Sequence, residues 1–397
     1  MPAPEFLLFG LTLLGVALFQ RHTLAVALAG LASITLFKLQ VTGFHGIAGL
    51  AGLRQHLSRE WVTLANLLGL LLGFAVLARH FEDTRIPQLL PKVLPDDWRG
   101  GAVLLLLVFV LSSFLDNIAA AMIGGTMAAG VFRNRVHVGY LAAIVAASNA
   151  GGAGSVIGDT TTTMMWIEGV PASQVLHAYI ASVAALLVFV VPAAMQQQRY
   201  SPIIADTPGG VTIDRSRLVI VALILGAAIA ANLCLNLWFG AAGERFPWIG
   251  AAVWSAIFAT MRWRRPQWSL LPNAALGSAF LLSLVLCASM MPVEKLPAAS
   301  WPTSLALGFL SSVFDNIPLT KLALDAGGYD WGFLAYAVGF GGSMLWFGSS
   351  AGVALANRFD EAKSVGNWLR ASWHVVLAYV MGFFALLATL GWNPHVQ

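Results

Sequence analysis

Ser112-Ser113-Phe114-Leu115-Asp116-Asn117-Ile118 recurs, in the same order of chemistry, as Ser311-Ser312-Val313-Phe314-Asp315-Asn316-Ile317. Both copies are embedded in apolar sequence. An acid at the centre of a bilayer costs about 3 kcal/mol even on the mildest insertion scales, so two acid-amide pairs imply two halves of one polar site. The surroundings demand a bilayer: of 397 residues, 58% are hydrophobic and 10% charged, with mean hydropathy +0.77. Soluble domains carry about a quarter charged residues, so the composition points to an all-α polytopic membrane protein.

Stretches long enough to cross, about 20 apolar residues each, are expected at 6–20, 23–40, 61–79, 137–167, 174–195, 216–237, 247–261, 273–291, 332–357 and 365–390. The windows 99–131 and 301–324 differ, because Asp-Asn interrupts each in its middle. A helix broken there can turn back and leave by the side it entered, which predicts two re-entrant hairpins. Such backbone is tolerated only when buried in protein or facing water. Spans 137–167 and 332–357 are broken too, by the Gly-rich runs Asn149 to Asp159 and Gly339 to Ser350. Each run holds Gly-Gly, a further glycine six positions on, and then a polar residue: Gly151-Gly152 with Gly158-Asp159, and Gly341-Gly342 with Gly348-Ser349.

The offset from Asp116 to Asp315 is 199 residues, and those from Gly151 to Gly341 and Gly158 to Gly348 are both 190. Ordered duplication of two motifs predicts an internal repeat, with halves 1–200 and 201–397 of about five spans and one hairpin each. Five spans lie between the hairpins, an odd number, so the second hairpin is expected to enter from the opposite face and the repeat to be inverted, with the broken helices at the midplane.

Loop charges test this orientation. Arg79, Arg85, Arg133, Arg135, Arg199, Arg215, Arg217, Arg262, Arg264, Arg265, Arg358 and Lys363 fall on the first hairpin's face, and the opposite loops are nearly free of Lys and Arg. By the positive-inside rule the first hairpin opens from the cytoplasm, the second from outside, and both termini are expected outside. The N-terminal Met1-Pro2-Ala3-Pro4-Glu5 lacks a basic signal start, so Phe6 to Phe19 reads as a retained span. Phe44 to Glu60 dissents, placing Arg54 and Arg59 outside, and is expected to be an interfacial amphipathic helix. The expected location is a bacterial inner membrane. Because the basic residues are scattered through loops, no nucleic-acid partner is expected. Cys234 and Cys287 stand singly in apolar runs and read as packing residues.

The pieces Asn149 to Gly152, Gly158-Asp159-Thr160-Thr161-Thr162-Thr163, Asp315-Asn316-Ile317-Pro318-Leu319-Thr320, and Gly341-Gly342-Ser343 through Gly348-Ser349-Ser350-Ala351-Gly352 resemble the NhaD-type sodium/proton antiporters. That family belongs to a wider superfamily of ion transporters that includes arsenite, citrate and dicarboxylate carriers. The resemblance implies a homodimer, hairpin tips and broken helices meeting at a midplane site, and a transport domain moving against a scaffold.

The residues also permit a reading of their own. Sodium takes several hard oxygen ligands, and the two tips offer carboxylate, amide and hydroxyl oxygens beside carbonyls freed by unwound glycine segments. A desolvated carboxylate can hold either the ion or a proton, which exchange requires. Asp116 and Asp315 are the first candidates for that role, with Asn117 and Asn316 at the tips. Asp159, Thr160, Thr161 and Asn149 are assigned to the inner half-site, with Ser113 on its hairpin. Ser349, Ser350, Ser312 and Thr320 belong to the outer one. Direct sodium ligands are expected among Asp116, Asn117, Asp159, Asp315 and Asn316, with no further cofactor. For each Asp the competing role is a helix cap.

Lys321 is the unexpected residue, since the first half has Met122 in its place. It either pairs with Asp315 or Asp325 as an internal cation or snorkels to the outer surface. One or two of Thr160 to Thr163 should face the site. His374 reads as structural, and Glu168 is expected to face water. An enzyme is not expected: Gly158-Asp159 lacks the first glycine of the GxGD motif of intramembrane proteases, Gly348-Ser349-Ser350 is not GxSG, and no phosphate loop is present. The competing function is a sodium-coupled carrier of an organic or inorganic anion, held at half-helix amino termini.

Overall fold

The computed structural model describes residues 4–19, 22–44, 46–86, 94–156, 158–203, 212–234 and 245–394. Among these the only strand-like pairing is an isolated bridge, Phe44 with Ile47. The protein is an all-helical polytopic membrane protein, with five helices among the described residues long and apolar enough to cross a bilayer. In chain order its helices are α1 (Pro4–Leu18), α2 (Thr23–Phe37), α3 (Gly49–Glu82), α4 (Trp98–Ser112), α5 (Asn117–Val131), α6 (Val138–Ala153), α7 (Thr160–Ile167), α8 (Ala172–Leu176) and α9 (Ala178–Tyr200). They continue as α10 (Arg215–Cys234), α11 (Trp248–Thr260), α12 (Leu271–Ser289), α13 (Trp301–Ser311), α14 (Asn316–Ala326), α15 (Trp331–Gly341), α16 (Ser350–Arg358), α17 (Val365–Ala371) and α18 (Trp373–Leu390).

The four expected breaks are all present. Window 99–131 is α4 and α5 with Asp116 between them, and 301–324 is α13 and α14 with Asp315 between them. Spans 137–167 and 332–357 are split into α6 and α7 and into α15 and α16. Ile157, inside the first Gly-rich run, lies outside the described residues, as do the last residue of span 6–20, the last three of span 216–237 and most of the loop 238–246.

One expectation needs correcting. No separate interfacial helix covers Phe44 to Glu60, because Gly49–Glu82 is one helix of 34 residues, about 51 Å long against roughly 30 Å of hydrocarbon. Packing explains the difference. His56 is buried with Nε2 3.0 Å from the Ser289 hydroxyl at the end of α12, and a β-carbon at Gly52 would overlap the Ile47 carbonyl. The first turns of α3 are thus held against protein.

At the centre lie α6 and α15, whose residues are almost wholly buried and which pack on each other. Helix α4 packs on α6 and α13 on α15, while α9 and α18 close the far side. Across the centre α5 meets α16 and α14 meets α7, so each hairpin's second arm touches the other half's broken helix. The remaining helices, α1 to α3 and α10 to α12, form a group of their own beside this core. The groups meet where α3 touches α5 and α7 and where α12 touches α14.

Close approach at the centre depends on absent side chains. A β-carbon on Gly151 would overlap the Phe109 carbonyl of α4, and one on Gly341 the Gly308 carbonyl of α13, the same contact at the same repeat positions. Backbone cannot move aside as a side-chain tip can. Gly151→Ala is therefore expected to destabilise the protein by about 3 kcal/mol, as overpacking does. Gly226→Ala on α10, with open space around its β-carbon, should be neutral or slightly stabilising. Equal thermal unfolding midpoints for the two variants would contradict this account.

Candidate functional site

The two hairpin tips are built alike. Asp116 caps α5, one carboxylate oxygen accepting from the Ile118 amide at 3.1 Å, and Asp315 caps α14, accepting from the Ile317 amide at 3.1 Å. Capping is thus real for both, but it uses one oxygen of each. The other oxygen of Asp315 accepts from the Ser350 hydroxyl at 3.2 Å, which joins the second tip to the second broken helix. Ser112 and Ser311 donate to the carbonyls of Ser148 and Val338, again equivalent positions.

The second serines diverge. Ser113 donates to the Gly151 carbonyl at 3.2 Å and its own carbonyl accepts from Ser155 at 2.7 Å, tying the first tip to the unwound segment. Ser312 bonds back to Phe309 at 2.6 Å within its own helix, and Thr320 likewise bonds back to Asn316 at 2.9 Å.

Unwinding between α6 and α7 is held by hydroxyls. Thr162 donates to the Asp159 carbonyl at 2.9 Å and to the Ser155 carbonyl, and Thr163 donates to the Val156 carbonyl at 3.1 Å. Asp159 caps α7 through Oδ1, which accepts from the Thr161 amide at 3.1 Å. Although Asp159 is 1% exposed, its Oδ2 has no hydrogen-bond partner among the described residues, and neither has the buried Thr161 hydroxyl. A buried polar atom left unpaired is costly, and at a site it marks where a ligand or proton belongs.

Asymmetry around Asn149 explains the unpaired oxygen. Asn149 is fully buried; its Oδ1 accepts from Asn117 at 3.1 Å, and its Nδ2 donates to Ser343 at 3.0 Å and Ser349 at 3.2 Å. By the 190-residue offset the counterparts of Asn149, Ser343 and Ser349 are Gly339, Ala153 and Asp159. A β-carbon on Gly339 would stand 3.2 Å from both the Ala153 methyl and Asp159 Oδ2. The same three-way contact therefore exists twice, polar and satisfied on one side, stripped of its amide on the other.

A cavity of about 470 Å³ reaches Asp116, Asp159, Thr160, Thr163 and Ser350, with α3 from Leu67 to Glu82 and α12 forming its other wall. Asp315 does not line it, and Asn316 is buried. Asp159 lies within electrostatic reach of both Asp116 and Asp315. Among the described residues no three His, Cys, Asp or Glu side chains gather as a metal cluster, so a cation here has to draw on hydroxyl, amide and carbonyl oxygens as well.

Lys321 neither snorkels nor meets Asp315. It is 3% exposed and pairs with Asp325 at 2.8 Å, Glu60 at 3.3 Å and Glu168 at 3.4 Å. Glu168, expected to face water, also accepts from Thr63 at 3.2 Å. The sequence alone singles out no role for Ser155, Ser343 or Glu60, and Thr163 enters only through the expectation that one or two of Thr160 to Thr163 face the site. Ser343 had a legible signal, since it stands directly after the second Gly-Gly.

No family model matches the chain. It is 26% identical over 318 residues to the sodium/proton antiporter 1 of Arabidopsis thaliana, a match covering 70% of the chain and 54% of that protein. It is also 26% identical to the Na(+)/H(+) antiporter NhaD of Alkalimonas amylolytica over 308 residues, covering 63% of the chain and 61% of the relative. The NhaD of Halomonas elongata matches at 26% over 328 residues, covering 69% and 64%. The chain spans little more than half the length of the Arabidopsis protein. Across about two thirds of its own length, the chain is similar to proteins named as sodium/proton antiporters, NhaD among them.

Proposed function

We propose that the protein exchanges sodium for protons across a membrane by alternating access. One observation carries the reading: Asp159, whose buried Oδ2 is unpaired among the described residues, lines a cavity that Asp116 shares. Either a small cation or a proton satisfies that oxygen, and a group that takes one or the other is what exchange needs. Asp116 is the second titrating candidate, with Thr160, Thr161 and freed carbonyls as neutral ligands. Asp315, held by Ser350, shapes the outer half-site together with Asn316, Ser312, Thr320 and Ser349.

In this reading the halves 1–200 and 201–397 are inverted repeats and both hairpins are re-entrant, supported by the duplicated contacts and the one-sided loop charges. The core of α4 to α9 and α13 to α18 moves as the transport domain against α1 to α3 and α10 to α12. Both termini lie outside and the membrane is the bacterial inner one. A homodimer rests on the family resemblance alone. Carboxylates lining the cavity disfavour an anion as cargo, and the names of the relatives do not favour the citrate or dicarboxylate alternative.

The test is purified protein in liposomes carrying an internal pH probe, pulsed with sodium, lithium, potassium or citrate. External sodium should raise internal pH as protons leave. Internal pH unmoved by sodium and lithium, with citrate accumulating in a sodium-dependent way, would instead establish the anion carrier.

A further inference from the structure

The α3 wall of the cavity runs from Leu67 to Arg79 and Glu82, whose side chains are about two-fifths exposed, toward the end of α3 that carries the basic loop residues. In the N-terminal half of the same helix stands Glu60, about 33 Å from Glu82 along the axis at 1.5 Å per residue. There α3 is tied to the core: Glu60 pairs with Lys321 of α14 at 3.3 Å, and Thr63 donates to Glu168, at the end of α7, at 3.2 Å. Leu64, one turn past Glu60 on the same face of α3, packs into the core between this tie and the cavity.

We propose that Lys321, Glu60, Thr63 and Glu168 form the outer gate of the transport route, closed in this structure while the cavity reaches the opposite face. The inference rests on the alternating-access reading above. The cluster's composition suits a contact that opens repeatedly. A buried lysine stripped of its partners is strongly destabilising, yet Lys321 keeps Asp325, one turn along its own helix at 2.8 Å, and Glu168, whose helix packs on α14. Of this cluster's polar contacts, those to Glu60 and Thr63 are the ones that cross from the core to α3. When α3 withdraws, the lysine remains paired twice, and Glu60, already 16% exposed, meets water. The repeat is asymmetric here for a reason: the first half has Met122 where the second has Lys321, and Met122 lines the open cavity.

The test reads exposure of the route directly. In protein lacking Cys234 and Cys287, Leu64→Cys is placed behind the gate and Ala119→Cys in the cavity wall, and a membrane-impermeant maleimide is applied from each side of oriented vesicles. Glu60→Gln should raise labelling of position 64 from the side away from the basic loops by about tenfold, the population change that loss of one ion pair produces. Labelling of position 119 from the basic side should fall in step. Should Glu60→Gln not fold, Glu60→Asp is read the same way, with a smaller rise. Unchanged labelling at both positions, or a rise at both together, would overturn the gate. Labelling needs no ion flux. A reciprocal shift in a protein that moves no protons upon a sodium pulse would therefore sink the exchange reading and leave the gate standing.

Discussion

Replacing Asp159 with asparagine is expected to abolish sodium-driven proton movement while leaving the protein folded, with a thermal midpoint no lower than the parent's. The cap on α7 survives, because asparagine caps as well as aspartate and the Thr161 amide needs only one acceptor oxygen. What disappears is the buried Oδ2, which has no hydrogen-bond partner within 3.5 Å among the described residues. Removing an unpaired buried charge relieves a desolvation cost rather than adding one. Most substitutions at a buried, hydrogen-bonded residue destabilise, so loss of activity with retained stability is a signature that a merely structural Asp159 cannot give. The measurement pairs sodium-pulsed proteoliposomes with thermal unfolding of the same sample. Asp315→Asn is the informative companion, since Asp315 has both oxygens engaged and lies off the cavity. It should lose less activity than Asp159→Asn. Near-normal exchange by Asp159→Asn would return that residue to the capping role and shift the burden to Asp116.

The sequence order of importance among the acids changes accordingly. Asp116 and Asp315 stand out in the sequence because they repeat, and repetition is legible without a structure. Asp159 stands out in three dimensions because Gly339 faces it, whereas Asn149 faces its counterpart Ser349. The offset of 190 contains that comparison in principle. Its meaning needs the knowledge that positions 149 and 159 of one half sit against 339, 343 and 349 of the other, which no spacing within a half supplies.

Elsewhere the division follows the same logic. The breaks at Asp116, Asp159, Asp315 and Ser349 are local events, set by groups that hydrocarbon does not tolerate and by caps that act within three residues, so the sequence places them well. The partners of Lys321 are long-range. Glu60 and Glu168 belong to two helices distant in the chain, and an acid near a span end reads as solvated until something packs on it. Phe44 to Glu60 fails for a related reason: an amphipathic pattern reports a polar face, but not that His56 finds Ser289 on another helix.

Asn149→Ala is expected to cost about 2–5 kcal/mol of stability and to abolish exchange, the larger structural effect of the two, because it leaves the Asn117 amide and the Ser343 and Ser349 hydroxyls without their shared partner. Asn149 is fully buried, so water does not readily replace what is lost. Ser349 keeps a second role, accepting from the Gly352 amide at 3.2 Å to cap α16. Ser343 is the cleaner probe, since its hydroxyl takes part in the network through Asn149. In a double-mutant cycle Ser343→Ala should therefore cost less in the Asn149→Ala background than in the parent, with a coupling of about 0.5–3 kcal/mol. Because Asn149 belongs to the first half and Ser343 and Ser349 to the second, this coupling measures how firmly the halves are joined at the site. Strictly additive effects would mean that the bonds contribute nothing as a pair, and that the apolar packing of α6 on α15 alone holds the two halves in register.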